Sequence, residues 1–412
     1  MTWWLGFNRF LTPRRLAYAW IAGGTLWIAW LLSIFLGPGK MDLAGQVIGT
    51  DYLQYYAAGV TVREGQSANL YDFSFQSQLE QTIAGPGFTS YHAFITPPFL
   101  AWLFVPFSVL PYIWSFLVWS LLSALFLWLS LKLLPAENPG KSWLWSLTWF
   151  PIFAAVSFGQ NSLLSLMFFS LTYWLWKKEK HLSAGLVSSL LLFKPQLALG
   201  LGLLWLLNWR KGWKSLLGMV TGGAIFIGLC FWLLPDASQA YIDLVRSFLP
   251  GMIYQDQFPL LHMHSLRGFW ILLFPGNRWL AEGLSLLISI IGIIGFFFFW
   301  KNNRKESDLL FAGAVCLTIW ITPHAMIYDW SILIIPAILF WQTIPQIKPL
   351  LKTMFALIWI ATFISGPLTL AQLKIMPVAI QISIPILLLV YLTIYRQLKL
   401  IGTANDNLEV VK

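Results

Sequence analysis

The chain contains apolar stretches that are too long and too free of charge for a soluble fold. Residues Trp143–Trp176, for example, include no charged side chain. A stretch of 18 or more apolar residues is long enough to cross a bilayer as a helix. Backbone polar groups in lipid must pair within the protein, so such stretches form helices or a closed barrel. The runs are continuous rather than alternating, which favours helices. The predicted fold class is therefore an all-α integral membrane protein.

Composition and charge distribution support this class and argue against a nucleic-acid partner. The sequence is 58% hydrophobic and 10% charged, whereas soluble domains carry about 25% charged residues. The net charge of +10 arises from basic residues in short loops between apolar segments, a pattern typical of cytoplasmic loops. Cys230 and Cys316 both lie inside apolar segments, so we interpret them as buried thiols rather than a disulfide. The first apolar segment lacks a small-residue cleavage site and is predicted to be a retained anchor.

One short segment, 95–110, decides the predicted topology. It begins with Thr96-Pro97-Pro98 and is short for a span, so we expect it to lie in the headgroup plane. Without it, about twelve spans remain, and most of the 26 lysines and arginines fall on the cytoplasmic side together with both termini. Counting it as a span would reverse that distribution, against the positive-inside rule. The predicted spans are 16–36, 112–134, 142–158, 161–176, 182–194, 195–208, 215–234, 279–300, 308–322, 328–343, 349–366 and 377–396.

The same topology predicts which side of the membrane holds the active site. We predict a single membrane domain over residues 1–401 of a multi-pass protein of the cell (inner or plasma) membrane, and a disordered cytoplasmic tail at 402–412. Two long loops, 37–111 with juxtamembrane helices and 235–278, share the outer face. Most acidic residues and four of the five histidines fall on that face. Polar diversity gathered on one side of an otherwise apolar protein predicts an active site there.

Two outer basic residues are candidates for binding phosphate. Lys194 lies in an apolar context where a lysine is costly unless it meets water or an anion. It either snorkels to the interface or serves as a point charge for phosphate. Arg267 can offer a bidentate fork to the same group. His262 and His264 are two residues apart and have no third ligand in sequence, which is a weak metal pattern. We therefore expect neither a metal nor a cofactor, and interpret this loop as one that orders over substrate.

Other outer polar residues each allow a structural and a functional interpretation. Asp51 either caps the following helix or acts as a catalytic acid–base group. Gln160 and Asn161 either form a turn between two spans or line a sugar or phosphate site with their amides. Asp329 either caps a helix or belongs to the site. His324 is uncommon at such a depth and is expected to bind a sugar hydroxyl or a phosphate.

An ordered set of short motifs over residues 45–335 resembles a known family. The chain is similar to the polyprenol-phosphate-mannose-dependent α-1,2-mannosyltransferase-like proteins, glycosyltransferase family 87. The motifs are Asp51 with Tyr55-Tyr56-Ala57-Ala58-Gly59, Leu70-Tyr71-Asp72, Pro97-Pro98, Gly159-Gln160-Asn161, Ala184-Gly185 to Lys194-Pro195, and Pro323-His324 with Asp329-Trp330.

The resemblance implies a GT-C architecture, in which juxtamembrane helices cover an outer-face cavity of a multi-span bundle. It also implies Asp51 as general base, His324 in the active site, and Lys194 and Arg267 near the carrier phosphate. The substrate-binding residues expected from the sequence are Tyr55, Gln160, Asn161, His264 and Asp329.

These residues predict an enzyme, and two other functions compete. A phosphate leaving group needs no general acid, so inverting transfer requires only one base. The predicted protein is a membrane glycosyltransferase that moves a sugar, which the resemblance implies is mannose, from a polyprenyl-phosphate donor to a lipid or glycan acceptor. The first alternative is a transporter or flippase of a polyprenol-linked sugar or lipid. Its polar groups would be expected near the midplane, often within inverted repeats. The second is a structural or assembly protein without chemistry.

Overall fold

The computed structural model describes the backbone of residues 3–255 and 258–410, and the side chains of 4–255 and 258–401. The described chain is almost entirely helical, and its β structure there is limited to two isolated bridges, Met41 with Val47 and Met263 with Met326. The helices are α1 Trp3–Phe10, α2 Pro13–Leu36, α3 Tyr52–Arg63, α4 Phe73–Ala84, α5 Pro98–Phe104, α6 Tyr112–Leu133, α7 Pro139–Leu147, α8 Phe150–Ser157, α9 Ser162–Lys177, α10 His181–Ser189, α11 Leu199–Leu207, α12 Trp209–Leu233, α13 Pro235–Ser247, α14 Leu266–Leu273, α15 Arg278–Asn302, α16 Ser307–Ile321, α17 Ile334–Thr343, α18 Lys348–Leu373 and α19 Ser383–Val410. Short 3-10 helices are Ser67–Asn69, Phe107–Val109, Leu190–Phe193, Pro195–Ala198, Met252–Tyr254, Leu260–His262, Ile327–Leu333 and Pro345–Ile347.

Within the described ranges, six helices are long and apolar enough to cross a bilayer: α2, α6, α12, α15, α18 and α19. Large apolar side chains cover their outer surfaces; Phe35 on α2, for example, is 80% exposed. Apolar faces of this extent would be unfavourable in water, whereas lipid tails can cover them. The predicted multi-pass helical membrane fold is confirmed.

The remaining predicted spans correspond to shorter helices. Segments 182–194, 195–208, 308–322 and 328–343 match short apolar helices, three of which include a 3-10 turn. The predicted span 142–158 is divided into α7 and α8 near Trp149. Pro151 lies in the first turn of α8 and has no N–H to donate to the carbonyl of Leu147, four residues earlier, so one continuous helix cannot pass through this point. The number of crossings and their orientation remain predictions.

Loop 37–111, predicted to be the first outer loop, folds into a packed layer rather than an open connection. Helix α3 is its centre, with Leu53 and Ala57 fully buried. The ring of Tyr55 stacks on that of Phe104 in α5, with centroids 5.0 Å apart. A Cβ at Gly59 would come within 2.5 Å of the Phe104 carbonyl oxygen, so the two helices meet only because this residue is glycine. Helix α5 has seven residues and is too short to cross a membrane.

Loop 235–278, predicted to be the second outer loop, and the tail complete the chain. Helices α13 and α14 lie in the second loop, and the bridge between Met263 and Met326 joins this loop to the segment that follows α16. The backbone of α19 continues as helix to Val410. The side chains of residues 402–412 lie outside the described part of the chain, and the disorder expected for this tail stays a prediction.

Candidate active site

Asp51 lies directly before α3 and is held by a hydrogen-bonded chain of side chains. It occupies the helix N-cap position, but its carboxylate makes no capping hydrogen bond. Instead, Gln160 Nε2 donates to Asp51 Oδ2 at 2.6 Å. The hydroxyl of Tyr55 donates to Gln160 Oε1 at 2.9 Å. Since a carboxylate only accepts hydrogen bonds, the amide nitrogen of Gln160 faces Asp51 and its amide oxygen faces the tyrosine hydroxyl. The geometry therefore favours a functional role for Asp51 over helix capping.

The turn between α8 and α9 brings Gln160 to this position. Gly159 has a positive φ of 66°, a conformation that glycine adopts without steric cost. A Cβ there would lie 2.5 Å from Tyr52 Cβ. The backbone N–H of Tyr52 donates to the carbonyl of Phe158 at 3.0 Å. The first residue of α3 is thus hydrogen-bonded to the turn, and this contact brings Gln160 next to Asp51.

The environment of Asp51 favours a carboxylate that can take up a proton. Burial raises the pKa of this group above its usual range, and it remains raised after opposing influences are included. A carboxylate with a raised pKa is a stronger base than an ordinary one and is better matched to proton transfer near neutral pH. The influences that lower its pKa are the hydrogen bond from Gln160 and the charges of His92, Lys194 and His262.

Lys194 is buried and ion-paired. Its Nζ donates to Asp329 Oδ1 at 2.6 Å and to Ser162 Oγ at 3.1 Å, and it lies 5.0 Å from the centre of the Tyr328 ring. The residue is only 9% exposed, so its side chain does not snorkel to the interface. The ammonium has three N–H donors. Two are used within the described residues, which leaves one for a further acceptor.

Asp329 caps a helix, as one interpretation of the sequence predicted, and it also binds Lys194. Its Oδ2 accepts the backbone N–H of Met326 at 3.1 Å, which caps the 3-10 helix Ile327–Leu333. Its Oδ1 binds Lys194 and also accepts the Ser162 hydroxyl at 2.8 Å. One carboxylate thus fixes a helix end and a buried cation together.

Arg267 forms an ion pair that the sequence did not indicate. Its Nε and one terminal nitrogen donate to Glu282 near the N-terminus of α15, at 2.6–3.0 Å. The Tyr254 hydroxyl donates to the same carboxylate at 2.6 Å. The charge of Arg267 nevertheless acts on His324. Arg267 therefore lies near the site, but its guanidinium is paired with a carboxylate rather than free to bind phosphate.

The three histidines of the second loop and the following segment differ in environment. His264 is buried, with Nδ1 2.8 Å from Ser383 Oγ, and burial lowers its pKa to about 3. Burial lowers the pKa of His324 to about 4, so this ring is neutral at pH 7. Burial also lowers the pKa of His262, which the charge of Asp51 opposes. Among the described residues, no three metal-ligating side chains converge. His262 and His324 can thus serve as neutral hydrogen-bonding groups, whereas His264 already has a structural partner.

Asn161 is fully buried beside Gln160. Neither polar atom of its side chain has a hydrogen-bond partner within the described part of the chain. Burying an amide unpaired costs about 1–3 kcal/mol. Its position next to the Asp51–Gln160 contact fits an amide that binds a polar group in the site.

Sequence reasoning missed Glu80 and His92. Glu80 is 1% exposed, and its Oε2 accepts the backbone N–H of His92 at 2.9 Å. Burial raises the pKa of Glu80 to about 8. His92 interacts electrostatically with Asp51. A signal was present, because Gln76, Glu80 and Ala84 form the buried face of α4 at helical spacing, and two polar residues on such a face are unusual.

Comparison with known proteins identifies a family relationship. The model of glycosyltransferase family 87 matches residues 94–327, more than half of the chain. No curated protein and no solved structure matches the chain. The matched range includes Gln160, Lys194 and His324, whereas Asp51 and Asp329 lie outside it. The significance of those two carboxylates therefore depends on the geometry described above.

Proposed function

The chain belongs to glycosyltransferase family 87 and is a membrane glycosyltransferase, and from that premise we propose its donor and its catalytic groups. It transfers mannose from a polyprenyl-phosphate donor to a hydroxyl of a lipid or glycan acceptor, with inversion at the anomeric carbon. Asp51 is the general base. The observation that carries this proposal is the arrangement of a hydrogen-bonded carboxylate whose charge interacts with that of a buried lysine.

The reaction is a displacement at the anomeric carbon. The acceptor oxygen forms a bond to that carbon while the bond to the phosphate oxygen breaks, and the phosphate leaves with the bonding electrons. Asp51 takes the proton of the acceptor hydroxyl. Gln160 fixes the orientation of the carboxylate, and Tyr55 fixes the amide of Gln160. A positioned base of this kind accelerates a reaction by about 10²–10⁴.

Lys194 stabilises the negative charge that grows on the departing phosphate. Its third N–H donor is the one directed to phosphate, while Asp329 and Ser162 hold the ammonium in place. Electrostatic stabilisation by preorganised donors is usually the largest contribution to catalysis. The negative charge of Asp329 offsets the positive charge of Lys194, so the pair binds product phosphate less tightly than an unpaired lysine would. Arg267, shared with Glu282, supplies a second positive charge near His324.

Polar groups around the base bind the transferred sugar. Asn161 and Gln160 offer amide donors and acceptors, and His324 offers a neutral imidazole because burial lowers its pKa to about 4. A neutral ring has one donor and one acceptor nitrogen, which suits a sugar hydroxyl. The distribution of basic residues supports a site on the outer face of the cell membrane, with both termini in the cytoplasm.

Donor class can be tested with purified protein. The detergent-solubilised enzyme is incubated with radiolabelled polyprenyl-phosphate-mannose and a membrane lipid extract, and in parallel with radiolabelled nucleotide-activated mannose. We expect a labelled covalent product only from the lipid-linked donor. Product from the nucleotide sugar alone would contradict the donor assignment. Translocation of the lipid in vesicles without any product would instead support a flippase.

A further inference from the structure

An open polar depression lies on the first outer loop, at the end of α4. Its volume is about 600 Å³. Gly85 and Gly87 shape its rim with φ values of 93° and 94°, which non-glycine residues rarely adopt. The residues that line it are Gln78, Gln81, Thr82, Gly85, Pro86, Gly87 and Phe88.

The lining of this depression matches an uncharged polyhydroxyl ligand. Gln78, Gln81 and Thr82 are exposed, and none of the lining residues carries a charge. A side-chain amide offers both donors and an acceptor, which is the combination that neighbouring sugar hydroxyls require. An anionic group would instead be expected to meet arginine or lysine. Phe88 adds an apolar ring at the inner wall, against which a sugar face can pack.

A chain of packed side chains joins the depression to the candidate active site. The Phe88 ring stacks on the His92 ring, with centroids 5.8 Å apart and an interplanar angle of 29°. Glu80, on the buried face of the same helix, accepts the backbone N–H of His92. Two residues further on, the Phe94 ring contacts that of Tyr55, which belongs to the hydrogen-bonded chain of Asp51. His92 therefore lies between the depression and Asp51.

Asp51 interacts electrostatically with both Lys194 and His92. Lys194 is paired with Asp329 in the proposed phosphate site, whereas the ring of His92 stacks on Phe88 at the depression. In an inverting displacement the acceptor approaches the anomeric carbon from the face opposite the leaving group. The acceptor is therefore expected on the His92 side.

We propose that the depression at the end of α4 is an acceptor subsite for a neutral glycan, and that His92, held by Glu80, positions the reacting hydroxyl beside Asp51. This inference rests on the proposed function for its reaction, but the binding of glycan by the depression can be measured without transfer.

Glycan binding is the direct test. Full-length protein purified in detergent is applied to an array of neutral oligosaccharides of mannose, glucose and galactose. The double variant Gln78→Ala/Gln81→Ala should bind at least tenfold more weakly than wild type. Both residues are exposed, so folding should be unaffected. Gln239→Ala, an exposed glutamine on α13, is the matched control and should bind normally. Absence of binding by wild type, or equal binding by the double variant, would overturn the inference.

Transfer kinetics separate this inference from the proposed function. With a glycan that binds as acceptor, the double variant should raise the acceptor KM about tenfold and leave the donor KM and kcat unchanged. His92→Gln should raise the acceptor KM and also lower kcat, because the hydroxyl is less well placed. Asp51→Asn should slow transfer by about 10²–10⁴ yet keep glycan binding. Transfer by Asp51→Asn within tenfold of the wild-type rate would show that Asp51 is not the base and would leave the subsite proposal intact. An unchanged acceptor KM in the double variant would refute the subsite and leave the assignment of the base intact.

Discussion

Replacing Lys194 by methionine separates its structural contribution from its proposed catalytic one. The ammonium is buried against Asp329 at 2.6 Å, with side-chain exposures of 10% and 3%. Removing one partner of a buried pair leaves an uncompensated charge and typically costs about 3–5 kcal/mol. Replacing both partners costs much less, because no charge is left unpaired. Lys194→Met should therefore destabilise the protein by about that amount, and the double variant Lys194→Met/Asp329→Asn should recover at least half of it.

Stability and donor binding are then measured on the same variants. Unfolding is followed in mixed micelles by denaturant titration, and donor KM by the radiolabelled transfer assay. If Lys194 binds phosphate, the double variant should regain stability but not donor affinity or rate. Recovery of activity together with stability would refute the phosphate role and leave Lys194 as a structural partner of Asp329. Equal stability of wild type and Lys194→Met would refute the buried ion pair itself.

Three further perturbations test other parts of the account. Burial raises the pKa of Glu80 from 4.5 to about 8, so the folded protein binds this proton more tightly and loses stability as pH rises between those values. Glu80→Gln should remove that loss, which is at most roughly 5 kcal/mol, in unfolding titrations at pH 5 and pH 9. Gly159→Ala should destabilise by about 2 kcal/mol or more and reduce transfer, whereas Gly24→Ala, whose added Cβ meets open space, should do neither in the same assays. Glu282→Gln should free the guanidinium of Arg267 and lower the donor KM several-fold. An unchanged donor KM would show that Arg267 has only a structural role.

The fold was largely predictable because hydrophobic length is a local property of the sequence. Every long apolar segment forms a helix, and the proline-led segment 95–110 contains only a short one. The break of segment 142–158 near Trp149 was missed because the apolar run continues through it without a charged residue. The missing N–H of Pro151 in the first turn of α8, rather than hydropathy, divides that segment.

The site was predictable as a set of residues but not as a set of contacts. Asp51 and Gln160 were both selected from sequence, yet their hydrogen bond joins positions 109 residues apart. The carboxylate partners of Lys194 and Arg267 depend on how helices pack, which no local motif records. Glu80 escaped notice although its spacing from Gln76 puts two polar residues on one face of a helix, because the burial of that face is visible only in the structure. The pairing of charged side chains is thus visible in the structure but could not be predicted from the sequence.

The most direct test of the account is a single-turnover experiment on Asp51→Asn. Asparagine keeps the shape of the side chain and can still accept the hydrogen bond from Gln160, so the fold and donor binding should be preserved. Labelled polyprenyl-phosphate-mannose is bound to excess enzyme, acceptor is added, and covalent product is followed with time. The account predicts donor binding within about twofold of wild type and transfer slowed by about 10²–10⁴. Transfer within tenfold of the wild-type rate would show that Asp51 is not the base.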